Sequence, residues 1–183
     1  MNNKKYLKVV RNTCSSNGNY EYKINEVNIS DNWNPQGTDA STMGGFNFST
    51  EDKILRWLVR GNILYDVIIP DDAEVIECES EASPHGVFRT NKIILKNPRP
   101  LTDEIAYHLY LESDLPDKSY YKSLAGLMIL GFKNTCMKLI NDRITKDNVK
   151  DVLKDIDEFW HPNEDDFDLT TYKEIYEYLK NML

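Results

Sequence analysis

Cysteine is too scarce to build a covalent framework. Cys14, Cys78 and Cys136 cannot all pair with one another, and there is no C-x-x-C, so free thiols in a reducing compartment are expected. Eight glycines and seven prolines in 183 residues exclude collagen-like and low-complexity classes. No apolar run approaches the roughly 18 residues of a membrane span. The opening Met1-Asn2-Asn3-Lys4-Lys5 lacks the apolar stretch of a secretory leader. A cytoplasmic protein with no membrane partner is the expectation. His85, His108 and His161 share no i, i+3 or i+4 spacing and have no cysteine at ligand spacing, so no metal site is expected. The chain also lacks G-x-x-x-x-G-K-[ST], G-x-G-x-x-G and G-x-S-x-G, the loops that cradle phosphates or raise a nucleophilic serine.

Positive charge is the other shortage. Lysine and arginine number 22 against 30 acids, a net charge of -8 and a pI near 4.9. Direct binding to DNA or RNA is not expected, because phosphate contacts dominate that affinity. The imbalance is local. Residues 145–183 carry 5 bases and 11 acids, which leaves only -2 for residues 1–144. Such an end is drawn towards a basic surface.

What is present is enough for a core: 40% hydrophobic and 28% charged residues. The pattern predicts an α+β fold, a small mostly antiparallel sheet with one embedded helix over 1–100. A helical part over 101–183 is expected to pack against it, acidic from 145. Residues 1–12 and 20–29 read as strands with a break near Asn25, joined across the hairpin dipeptide Asn17-Gly18. Residues 30–45 read as a long loop. Gly44 to Phe48 forms a strand with both aromatics on one face. Ser49-x-x-Asp52 opens a helix carrying Ile54, Leu55 and Leu58, and Gly61 is expected as its left-handed C-cap. Ile63–Ile69, Ala73–Cys78 and Val87–Leu95 read as three further strands. Beyond 101 the period turns helical. Thr102 caps the first helix, Gly131 divides the stretch 119–142, and Thr171-x-x-Glu174 opens the last. Val149, Val152, Leu153, Ile156, Phe159 and Trp160 form one apolar stripe. Expected core residues are Phe46, Phe48, Ile54, Leu58, Leu64, Val67, Ile69, Ile93, Leu95, Leu127, Leu139, Val152, Ile156 and Phe159.

Two acidic features invite chemistry. The loop Asn163-Glu164-Asp165-Asp166-Phe167-Asp168 places Glu174 twelfth, as a calcium loop would. Phe167 offers no side-chain oxygen, and Asp168 stands where the turn needs glycine, so an exposed acidic loop is expected. Secondly, Ser41-Thr42, the strand Gly45–Phe48, a helix, a strand and Glu77-Cys78-Glu79 resemble the order in ADP-ribosyltransferases. That resemblance implies NAD, with Arg11, Ser41, Thr42, Glu77 and Glu79 as the catalytic set. The basic residue and the serine–threonine pair would clamp the dinucleotide, and a carboxylate would stabilise an oxocarbenium-like ribose. Met43 stands where that pattern has its second serine.

Three segments in order look familiar: Gly44-Gly45-Phe46-Asn47-Phe48-Ser49-Thr50, Leu64-Tyr65-Asp66-Val67-Ile68-Ile69-Pro70 and Phe88-Arg89-Thr90-Asn91-Lys92-Ile93-Ile94-Leu95. Together they resemble an uncharacterised module of phages and giant viruses, found there at the head of ankyrin-type repeat proteins. The similarity covers about residues 20–112 and brings no catalytic residues with it. As a small, acidic, cysteine-poor chain of phage-like pattern, the protein is similar in type to anti-CRISPR proteins. What this implies is a non-enzymatic inhibitor, without cofactor, acting in the host cytoplasm. Its partner would be a basic, nucleic-acid-handling defence protein, most plausibly a CRISPR nuclease with its guide RNA. Partner-binding candidates are Asp147, Asp151, Asp155 and Glu158, which follow one polar helix face. Glu164, Asp165, Asp166 and Asp168 complete the set.

Overall fold

The computed structural model describes residues 5–15, 20–38, 40–78, 84–159 and 168–183. The chain divides into two compact units, 1–54 with 60–100, and 55–59 with 101–183. The architecture is α+β, with the strands in the first unit and the long helices in the second.

The first unit holds β1 (Tyr6–Val10), β2 (Val27–Ile29), a short helix α1 (Ala40–Met43), β3 (Phe46–Thr50), β4 (Ile63–Ile68), β5 (Val75–Glu77), β6 (Val87–Thr90) and β7 (Lys92–Pro100). All neighbours are antiparallel, in the order β2-β7-β4-β1-β3-β6-β5. A flat sheet in this order would hold β6 and β7 four strand spacings apart, about 19 Å. Asn91 alone joins them, and two Cα steps reach at most about 7.6 Å. The sheet therefore rolls on itself. β6 and β7 are one strand bent at Asn91, pairing first with β3 and then with β4 on one edge, and with β5 and then β2 on the other. β1 closes the ring between β3 and β4.

Alternation along these strands sends one set of side chains into the roll. Val10, Phe46, Phe48, Tyr65, Val67, Ile93 and Leu95 form its core together with Tyr22. Tyr6, Phe48 and Phe88 meet ring to ring, with Phe48 and Phe88 stacked at 5.2 Å. Burial of each such ring contributes about 1.5–3 kcal/mol.

Several local expectations are corrected here. The segment 87–95 makes two ladders, because the bend at Asn91 changes its partners. The loop 30–45 contains α1. No capping box opens at Ser49: β3 runs through it to Thr50, and its hydroxyl is buried with no hydrogen-bond partner among the described residues. The helix that follows is a 3-10 helix, Ile54–Arg60. Gly61 is not a left-handed cap. Its backbone lies so close to β1 that a Cβ would stand 2.4 Å from the Val10 carbonyl. The break at Asn25 is a left-handed residue, φ 66°. The Asn17-Gly18 turn lies outside the described residues.

The second unit holds Leu55–Val59 of the 3-10 helix and five helices: α2 (Asp103–Leu111), α3 (Asp117–Ile129), α4 (Lys133–Arg143), α5 (Val149–Phe159) and α6 (Thr170–Lys180). α3 is its axis, packing against α4, α5 and α6. Gly131, φ 76°, divides α3 from α4 as expected. The Phe132 amide donates to Leu127 and the Gly131 amide to Met128, which closes the α3 C-terminus as a Schellman motif. The Thr102 hydroxyl accepts from the Ile105 amide and caps α2. Thr171 does not open α6, because Leu169 occupies the cap position and Asp168 accepts from the Thr170 amide at 3.0 Å. Of the expected core residues, only Ile69 and Phe159 are less than fully buried.

Candidate functional site

Two places in the fold gather charge unusually, one in each unit. The first is the acidic side of α5. Burial of Val149, Val152, Leu153 and Ile156 turns the opposite face outward, where Asp151 and Glu158 are exposed and Asp155 is half-buried. Asp147 is exposed in the turn before the helix. α3 packs on α5, and the charges of Asp117 at the start of α3 and of Asp151 and Asp155 on α5 all act on Tyr121 of α3. Burial first, then Asp117, and then Asp151 and Asp155 push the Tyr121 phenol upward, against a 3.3 Å hydrogen bond from Asn148 Nδ2. No ion pair joins Asp147, Asp151 or Asp155 to a described residue; Asp117 has Arg143 Nη1 at 3.8 Å.

The other carboxylates expected in this set have local employment. Glu158 faces Lys154 at 3.7 Å. Asp168 is engaged at the start of α6, where hydrogen bonds to the Thr170 side chain and then to the Thr170 amide hold its carboxyl below the usual range. Glu164, Asp165 and Asp166 lie outside the described residues. Asp117 was not foreseen, since only the packing of α3 on α5 brings it near. Asp157, next to Glu158, accepts from Tyr176 at 2.8 Å, and this bond, with burial, raises the Tyr176 phenol to about 12.

The second place is inside the rolled sheet, around Lys8. Alternation on β1 places Lys8 between Tyr6 and Val10, on the inner face, where it is 4% exposed. Its ladder partner on β4 is Tyr65. On the other side, β1 and β3 are paired only at Tyr6↔Thr50 and Leu7↔Ser49. Lys8 Nζ lies at 2.6 Å from both the main-chain oxygen and Oδ1 of Asn47. It also sits 5.5 Å from the centre of the Tyr22 ring. No described carboxylate forms an ion pair with it. Burial, and then the positive charge of Arg89, bring the Lys8 amine down to about 7. Arg89 Nη1 donates to the Gly44 carbonyl, just before β3. Tyr22 is raised by burial, so its phenol stays neutral. Sequence reading passed over Lys8 because one lysine in a short strand looks like any surface lysine. The only available signal was its place at an inward position between Tyr6 and Val10.

The described residues implied by the ADP-ribosyltransferase resemblance belong to different elements. Arg11 pairs with Cys14 just past β1. Ser41 and Thr42 belong to α1, and the side chain of Ser41 is outside the described set. Glu77 is on β5, separated from β1 by β3 and β6. Its Oε1 accepts from the Gly86 amide at 2.7 Å, with His85 Nδ1 at 4.0 Å. Glu79 is outside the described residues. Cys78 packs its sulfur 3.9 Å from Met43, and burial raises its thiol.

Among the described residues no group of three or more His, Cys, Asp or Glu side chains could hold a metal ion. No described helix is long and apolar enough to cross a membrane. No family model, curated protein or solved structure matches this chain.

Proposed function

We propose that this chain is a binding protein that grips a basic, nucleic-acid-handling partner through the acidic side of α5 and the start of α3. The reading is carried by Asp151 and Asp155, which converge with Asp117 around Tyr121 without an ion pair of their own to a described residue. Carboxylates held on packed helices cost little ordering entropy when a cationic surface arrives, and they raise its arrival rate by steering. The resemblance of the sequence to phage proteins supports a host defence protein as the partner, and a CRISPR nuclease among these. Such nucleases hold guide and target in positive channels and read their short DNA motif with arginines. Occupying such a channel needs no catalysis and no cofactor.

The NAD-dependent alternative gains less support, since the Glu77 carboxylate on β5 already accepts from the Gly86 amide and Arg11 lies in the turn after β1.

The test is DNA cleavage by a guide-loaded CRISPR nuclease, titrated with this protein at 50 and at 200 mM salt. Inhibition that weakens at the higher salt, and is lost in Asp151→Lys/Asp155→Lys with the fold intact, is the expected result. Undiminished inhibition by the charge-reversed protein would refute the acidic grip. Absence of inhibition by a panel of nuclease types would refute the narrower reading.

A further inference from the structure

We propose that the seam between β1 and β3 is a pH-operated opening, with the Lys8 amine inside the rolled sheet as its trigger. The inference is independent of the acidic face on the helices.

The geometry isolates the trigger. The pair Lys5–Glu51, joined by the Glu51 amide and the Lys5 carbonyl, begins the seam, and Leu7↔Ser49 ends it. Val9 and Asn47 would form the next hydrogen-bonded pair. Instead the Asn47 carbonyl, directed towards β1, accepts from Lys8 Nζ. A side chain thus takes the place of the ladder, and the seam beyond Leu7 is held by this amine and by the packing of Val10 with Phe46 and Phe48. On its other edge β1 is held by four consecutive pairs to β4, from Leu7↔Asp66 to Val10↔Ile63. Loosening will therefore run along the β3 side.

The groups facing Lys8 make its charge costly. β4 presents Tyr65, the segment before β2 presents Tyr22, β3 presents Asn47, and β6 contributes the Arg89 guanidinium. Two phenols raised by burial stay neutral. A guanidinium repels an ammonium, and no described carboxylate pairs with the Lys8 amine. Asn47 is exposed, so a protonated Lys8 gains hydration when β1 moves away from β3 and water enters beside it.

The sign follows from linkage. The closed seam holds an amine of pKa about 7 and the open seam one of 10.5, so opening takes up a proton throughout that window. Opening becomes easier as pH falls from 10.5 towards 7, and below 7 rises by only about a further twofold. Between pH 9 and pH 7 the opening constant rises by up to about 50-fold for an amine with these two values.

The experiment is amide hydrogen exchange of the full chain at pH 7 and pH 9, corrected for the intrinsic exchange rate. The amides of Leu7 and Ser49 report on the seam, and those of Val67 and Leu95 on the β4–β7 pairing. Opening at Leu7 and Ser49 that rises tenfold or more at pH 7, with a smaller change at Val67 and Leu95, supports the proposal. Lys8→Met should abolish the difference. Equal changes at the two seams, or persistence of the effect in Lys8→Met, would overturn it. If that variant does not fold, the Lys8 Cε resonance of the unmodified protein decides the matter: titration near 7 supports the trigger, and titration near 10.5 removes it.

Discussion

Lys8 Nζ reaches the Asn47 main-chain oxygen at 2.6 Å, where Val9 would otherwise continue the β1–β3 ladder. This contact costs stability when the amine is charged and contributes it when the amine is neutral. The folded pKa lies below the unfolded value, so the unfolded chain binds more protons between pH 7 and pH 10.5. The stability contributed by Lys8, read as the difference between the parent and Lys8→Met, should rise with pH across that window, by at most about 1.4 kcal/mol per unit; the thiols and phenols raised by burial act in the opposite sense towards its upper end.

Lys8→Met should therefore change sign with pH. Near pH 7 it removes a buried amine that costs free energy to charge, and the variant should melt higher than the parent. Near pH 10.5 only the hydrogen bond is lost, leaving the Asn47 carbonyl unpaired at a cost of about 1–3 kcal/mol. Melting curves at both pH values check this. A variant less stable than the parent at both would contradict the burial argument.

Gly61→Ala should destabilise the sheet unit by overpacking, not by strain at a left-handed residue. The added methyl would press on the Val10 carbonyl at 2.4 Å, and such forced shifts cost about 1–3 kcal/mol. Urea unfolding measures the loss. A neutral substitution would show that β1 and the turn before β4 can separate freely.

Asp103 is the cap of a helix other than its own. Its carboxylate accepts from the amides of Asn134 and Thr135 at 2.9 and 3.0 Å, and from the Thr135 hydroxyl at 2.6 Å. α4 has no side-chain cap from its own Phe132. Asp103→Ala should cost about 1–2 kcal/mol, seen in urea unfolding, and Asp103→Asn less. Equal stability of Asp103→Ala and the parent would mean that water serves those amides as well.

The acidic face can be read without a partner. The Tyr121 phenol is raised by burial and by Asp117, Asp151 and Asp155. Asp151→Asn or Asp155→Asn should therefore lower its ionisation point, followed by the Tyr121 Cζ resonance in an alkaline titration. An unchanged midpoint in both variants would place these carboxylates too far away to act together.

Periodic patterns were legible because they need no partner to be recognised. The stripe of Val149, Val152 and Ile156, the Thr102 cap and the break at Gly131 each rest on interactions within a few residues. Capping at Ser49 and Thr171 was misread for the complementary reason. A serine or threonine three positions before an acid is only permissive, and β3 pairing and the Asp168 side chain took those places. Gly61 had the correct residue type for a helix end, but its reason lies in the approach of β1.

The amino-acid sequence by itself determined the α+β class, the order of most elements, the inward-facing apolar residues and the acidity of the end, since hydrophobic period and net charge are properties of the chain. Only the tertiary structure decided that the sheet rolls, because the single residue between β6 and β7 acquires meaning once the strand order is known. It also decided that Lys8 is enclosed beside Arg89, and that Asp117 joins Asp151 and Asp155. Burial and the spacing of charges depend on residues distant along the chain, and no local pattern carries that information.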